Sequence, residues 1–229
     1  MDQYLRDVSD DQVTIIVSTI GQERLTAYLA STPSLRDALQ LYQTNGRLAK
    51  HIHEVMGGFE IALRNRISAS IANHYGREDW YRCRAFVQNL NTERRSNIRD
   101  IRERLKTQKQ EERAGRIIAG LSLHFWISLH ENKYRDSLWT PHLHRVWPKG
   151  ENLKQVHKDL LKARDLRNRI AHHEPIFQAR WHDRIEAVWL RFEQLAPEMA
   201  GWYEFRLSRT IDALRHVCRQ HSPTSHDAP

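Results

Sequence analysis

The stretch "LRNRIAHHEP", Leu166–Pro175, sets an arginine, an asparagine and two histidines close together: Arg167, Asn168, His172 and His173. Arginine is a fixed cation suited to phosphate and carboxylate. Histidine is the side chain that gives or takes a proton near neutral pH. Acid–base work on a charged substrate would rest on these four residues. The bland alternative is that two histidines at a helix C-terminus merely complement its dipole. The pentapeptide "LRNRI" occurs a second time, at Leu63–Ile67, followed by "SASIANHYG". There His74 lies too far along to repeat the spacing, and five shared letters are weak grounds for an ancient duplication.

A helix stopped by Pro175 must position the second copy. At about 100° per residue, Leu153, Val156, Leu160 and Ala163 form one apolar stripe with Arg167 at its centre, while Arg169 points to water. An inward arginine is expensive unless it has a partner or lines a cavity. It can also snorkel or pair with a buried acid. His172 follows Arg167 by five residues, so the two diverge by roughly 140° on a continuing helix. Asn168 and His172, four apart, share a face. Arg167 and His172 could meet where the helix end loosens, or across a symmetric interface. In the first copy, Ile52, Val55, Met56, Phe59, Leu63 and Ile67 make the inward stripe. Glu60 and Arg64 stand in the favourable acid-before-base order for an intrahelical ion pair.

The remaining pattern is helical throughout, with no long apolar–polar alternation. Thr32 or Ser34 caps a helix, with Asp37 as the capping carboxylate. That helix runs towards Tyr75, with a break near Asn45–Gly46 or Gly57–Gly58, and Gly76 closes it. Thr92–Arg113 reads as a charged helix and Arg116–His130 as a more buried segment. Residues 152–173, 180–195 and 197–220 follow. The expected fold is all-α, a single helical domain over residues 1–220 with a disordered tail at 221–229.

The chain has 229 residues and a net charge of +8, enough length for a substantial core. The charge is uneven. Residues 94–169 carry 19 basic and 9 acidic side chains, the rest 17 and 19, so the whole excess lies in that third. A surface that meets phosphate accounts for this asymmetry, and so does a solvated arginine-rich helix face. Arg95, Arg99, Arg102 and Lys106, at helical spacing, are the candidate nucleic-acid-binding residues. The apolar runs are too short to span a bilayer. The polar, acidic N-terminus is unlike a signal peptide, and two cysteines give neither a disulfide framework nor a metal spacing. The expected setting is cytoplasmic, away from membranes.

"RNRIAH" fits the Arg, polar residue, three residues, His pattern of the HEPN superfamily of helical ribonucleases. With "FEIALRNRI" upstream and "LSLHFWISL" between, the chain resembles the Abi-like (abortive infection) family of bacteria over about residues 30–195, leaving the first thirty residues unexplained. The resemblance implies a HEPN-like helical bundle that forms a homodimer with a composite cleft. It implies a toxin-type endoribonuclease used in phage defence, cutting RNA without a metal or other cofactor. By that likeness Arg167 stabilises charge on the scissile phosphate. His172 acts as general acid or base, and Asn168 orients one of them. His173 also falls within the tolerated spacing, but the face shared with Asn168 favours His172. Glu60 and Arg64 brace the site or form only an ion pair. An antitoxin or a small regulatory RNA is the kind of partner that would hold such a toxin silent.

Metal binding has little support. "HIH" at 51–53, "HLH" at 142–144 and "HH" at 172–173 lack the carboxylate or cysteine company of a familiar site. The main rival reading is a non-catalytic RNA-binding or regulatory HEPN protein. Arg167 and His172 lining an open cleft would favour the nuclease, and the same residues sealed in a core would favour the rival.

Overall fold

The computed structural model describes residues 3–205, so the expected tail and the end of the last expected helix lie outside the described residues. Among the described residues there are helices and turns and no strand, which makes the fold all-α. The chain opens with α1 (Gln3–Asp7), α2 (Asp10–Ile20) and α3 (Gln22–Leu29). The long α4 (Leu35–Tyr75) comes next, then α5 (Arg84–Asn89), α6 (Thr92–Thr107), α7 (Ala114–Gly120) and α8 (Leu123–Ser128). Short 3-10 and π turns lead through residues 132–146 to α9 (Leu153–Ala171) and α10 (Ala179–Leu195). Residues 197–205 are again helical. No helix is long and apolar enough to cross a membrane among the described residues.

Local chemistry sets these boundaries. Ser34 caps α4: its Oγ accepts from the Asp37 N–H at 3.1 Å and donates to the Asp37 carboxylate at 2.5 Å. At the far end Gly76 takes φ +67°, and the Arg77 N–H returns to the Ala72 carbonyl. This is a Schellman stop with glycine in the left-handed position. The expected break inside α4 is absent. Asn45 is buried, and its Oδ1 accepts from the Ile176 N–H at 2.7 Å rather than capturing its own backbone. α6 ends at Thr107, six residues short of the expected Arg113. Lys109 takes φ +52°, and the Lys109 and Gln110 N–H groups return to Lys106 and Leu105. A Schellman stop therefore forms without glycine. The 116–130 segment is two helices, because Ser122 accepts from the Phe125 N–H and starts α8 anew.

The chain divides into two compact units. One comprises the chain up to Val55, Asp165–Glu186 and the residues from Tyr203; the other comprises Met56–Arg164 and Ala187–Trp202. In the first, Leu5, Val8, Val13, Leu25, Tyr28, Leu39 and Phe177 pack as a buried cluster. The Tyr28 ring centroid lies 5.2 Å from that of Phe177. Arg36 fastens the N-terminal helices, donating to the carbonyls of Leu5 and Val8 and to the Asp10 carboxylate. Helices α1–α3 are thus integral to this core.

In the second unit Trp80 and Trp126 meet edge to face, and the Trp80 Nε1–H donates to Ser68 Oγ at 2.9 Å. Arg191 is 2% exposed and reaches Asp159 at 2.8 Å, Glu151 at 2.7 Å and Gln194 at 2.7 Å. A buried guanidinium is tolerable because its donors are so fully occupied. Burial by itself would raise the Asp159 carboxyl, but hydrogen bonds from Gln155, Arg191 and Lys162 outweigh it and hold the group below the usual range.

Gly46 and Gly57 sit inside α4 with nothing within 4 Å of an added Cβ. Gly46→Ala and Gly57→Ala should therefore each stabilise the protein by about 0.5–1 kcal/mol, read as a rise in melting temperature. No rise in either variant would mean that these glycines serve something other than helix propagation.

Candidate active site at the end of helix α9

The histidine pair sits on a helix terminus of defined geometry. The His172 N–H still bonds the Asn168 carbonyl at 3.0 Å, as in a helix. His173 then takes φ +53°, its N–H returns to Ile170, and the Glu174 N–H returns to Arg169, both at 3.0 Å. This is a third Schellman stop, with His173 in the position that favours glycine. Pro175 follows and cannot continue the helix.

Three arginines fix what surrounds this stop. Arg24 of α3 donates to the carbonyls of both His172 and His173 at 3.2 Å, taking up oxygens that the helix leaves without partners. A cation there also complements the helix dipole. Arg169 donates through Nε to the Pro175 carbonyl at 2.7 Å and pairs with Glu174 at 2.7 Å. Its guanidinium lies 4.5 Å from the Trp181 ring centroid, and Arg184 lies at the same distance. Sequence reasoning sent Arg169 to water and Arg167 inward; the structure reverses both. Leu166 and Ile170 take the buried positions, so the apolar stripe of α9 drifts around the helix and leaves Arg167 exposed.

Arg167, Asn168, His172 and His173 are all exposed. Arg167 and Asn168 make a long side-chain contact of 3.4 Å. His172 and His173 line an open cleft of about 770 Å³, together with Glu23, Arg24, Thr26 and Glu174. Arg167 and Asn168 are not part of its wall. Because α9 stays regular to Ala171, Arg167 and His172 diverge by about 140° within one chain. The site thus holds both histidines beside a cation and two carboxylates, with the Arg167–Asn168 pair on another face. Arg24 and Glu23 were missed from the sequence because nothing local to "QERL" marks them; only the tertiary fold brings α3 to this helix end.

Glu60 and Arg64, in the other unit, are half-buried. They form no ion pair with each other among the described residues, and Arg64 keeps a buried Nε without a hydrogen-bond partner. In the same unit Arg95, Arg99, Arg102 and Lys106 form one stripe of α6, beside the buried row Arg94, Ile98, Ile101 and Leu105. Arg95 and Lys106 are exposed and without an ion pair among the described residues. Arg99 lies 3.5 Å from Asp100 and donates to Ser96. Arg102 is held by Glu112 at 3.0 Å, and Glu112 also takes Arg82. Both arginines hold that carboxyl below its ordinary range, with Arg82 foremost. Half of the stripe is therefore engaged by acids of its own unit.

The left-handed backbone at His173 generates a stability prediction. Glycine has no steric cost there, so His173→Gly should raise the unfolding free energy by about 1 kcal/mol, measured by denaturant titration. A destabilised variant would show that the imidazole holds the stop in place.

The family model for "Abi-like protein" matches residues 3–148, from α1 through α8. The match takes in the first thirty residues and stops short of α9. No curated protein and no solved structure matches the chain. With well over half of its length matched, the chain belongs to the Abi-like protein family.

Proposed function

We propose that the protein is a metal-independent endoribonuclease that acts as a toxin in abortive infection and phage defence. The observation that carries this reading is the exposure of Arg167, Asn168 and His172 together at the end of α9, whose backbone Arg24 holds from outside the helix. Membership of the Abi-like family supports the abortive-infection role.

RNA supplies its own nucleophile, the 2′-hydroxyl. Its oxygen attacks the adjacent phosphorus while a base removes its proton, and the 5′-oxygen leaves as an acid protonates it. His172 takes one of these proton transfers. Arg167 stabilises the charge that builds on the phosphorane oxygens, and Asn168 orients the arginine. The divergence of Arg167 and His172 within one chain is met by a homodimer, in which one copy's Arg167 serves the other copy's His172. A non-catalytic RNA-binding protein remains the second reading. It is favoured by one observation: Arg167 is absent from the wall of the cleft that His172 lines.

No group of three His, Cys, Asp or Glu side chains suited to a metal occurs among the described residues. By the arginine–histidine mechanism, purified protein should cut RNA in EDTA, leaving 2′,3′-cyclic phosphate or 3′-phosphate ends. Arg167→Ala and His172→Ala should each lower the rate by about 10²–10⁴-fold with the fold intact, whereas His173→Gly should keep activity. Cleavage lost to chelator and restored by magnesium would sink the metal-free mechanism. RNA binding without cutting, unchanged in both alanine variants, would favour the second reading.

In the α6 stripe, Arg95 and Lys106 are the cations without an ion pair among the described residues. Arg95→Ala with Lys106→Ala should reduce the salt dependence of single-stranded RNA binding by about 1.4 in slope, two contacts at roughly 0.7 each. Arg102→Ala should leave that slope nearly unchanged. A wild-type slope in the double variant would remove α6 from the binding surface.

A further inference from the structure

The first copy of "LRNRI" has a site of its own. Arg66 is the second arginine of that copy, and Ser70, Asn73 and His74 follow it at four, seven and eight residues, on one face of α4. His142 and Arg145, from the turn around residues 143–146, face them across an open cleft of about 270 Å³. All of these residues belong to the same compact unit. The wall contains two arginines and two histidines and no carboxylate. Arg66 and Arg145 are exposed, and neither forms an ion pair among the described residues. The contrast with Arg102 and Arg169, each tied to a glutamate, is direct.

The back of the cleft is ordered. His142 is 2% exposed, and the His74 ring stacks on it at 4.5 Å and 24°. Ser70 Oγ lies 3.3 Å from His142 Nδ1 and donates to the His142 carbonyl at 3.2 Å or to the ring. His142 Nε2 is buried with no partner, an orphan that a fold normally avoids. Burial, with His74 and Arg145 beside it, pushes the His142 imidazole down to about 4, so it is neutral at pH 7. Neutral His142 carries the stacked His74, while the fixed positive charge stays on the two arginines at the rim.

Unpaired cations gathered on one wall repel each other, and an anion removes that cost. The cleft is at the small end of ligand sites. A guanidinium offers two parallel N–H groups to a tetrahedral oxyanion, and the Asn73 amide adds a further donor. We propose that this cleft binds a phosphate group, presented either by an RNA backbone or by a free nucleotide. The site stands apart from the Arg167–His172 reading and does not depend on cleavage.

The test uses the full chain with three probes: inorganic phosphate, adenosine 5′-monophosphate and a single-stranded 2′-O-methyl RNA that cannot be cut. Arg66→Glu with Arg145→Glu is compared with Arg84→Glu with Lys149→Glu, which changes the net charge equally at exposed positions elsewhere in the unit. Calorimetry and fluorescence anisotropy should show at least a tenfold loss of binding in the first pair and under threefold in the second. Ala69→Trp, which fills the cleft from α4 without a change of charge, should cause the same loss. Loss for RNA alone identifies the backbone as the source, and loss for the mononucleotide and phosphate with RNA unchanged identifies a free nucleotide. Equal binding of every probe by the cleft variants and the control pair would overturn the site. Because the RNA probe cannot be cut, its loss of binding in the cleft variants is read independently of cleavage, so failure of the nuclease reading and failure of this one are separable.

Discussion

A helix that stops leaves carbonyls with no partner, and the unit containing the end of α9 is organised around that deficit. The last carbonyls of α9 are taken by the returning N–H groups of His173 and Glu174 and by the Arg24 guanidinium. The chain then leaves along Pro175 and Ile176, whose N–H goes to buried Asn45. Phe177 is delivered onto Tyr28. One helix end therefore ties α3, α4, α9 and the approach to α10 together. The Asn45–Ile176 bond is buried, where an unsatisfied amide costs about 1–3 kcal/mol, so it pins the backbone that follows the histidines.

Much of the fold was legible in the sequence, because its signals are local. Ser34 with Asp37, and Tyr75 with Gly76, mark the two ends of α4. The failures come from the same locality. Asn45 looked like a breaker, but its amide is spent on Ile176, 131 residues away. Arg113 looked helical because charge pattern alone does not reveal that a lysine, Lys109, has entered the left-handed region.

The site was legible as a set of residue types and not as an arrangement. A straight helical wheel extended the first four apolar positions of α9 and put Arg167 on their line. It missed the drift to Leu166 and Ile170, which exchanges the roles of Arg167 and Arg169. The repeated pentapeptide shows how weakly letters fix roles. In both copies the leucine and the isoleucine are buried. In α9 the first arginine is exposed and the second is locked on Trp181, whereas in α4 the first is half-buried and the second is exposed. The same five residues receive opposite assignments from what packs around them.

The two bonds from Arg24 have a consequence for how the molecule responds to change elsewhere. They join positions separated by 148 and 149 residues, so order in the N-terminal helices and order in the histidine pair are thermodynamically linked. Fraying of α2 and α3 would withdraw the guanidinium and leave the helix end to water. By reciprocity, whatever engages the histidines should stiffen the first thirty residues. The opening segment of the chain thus acts as a remote brace on the histidine pair encoded near the other end.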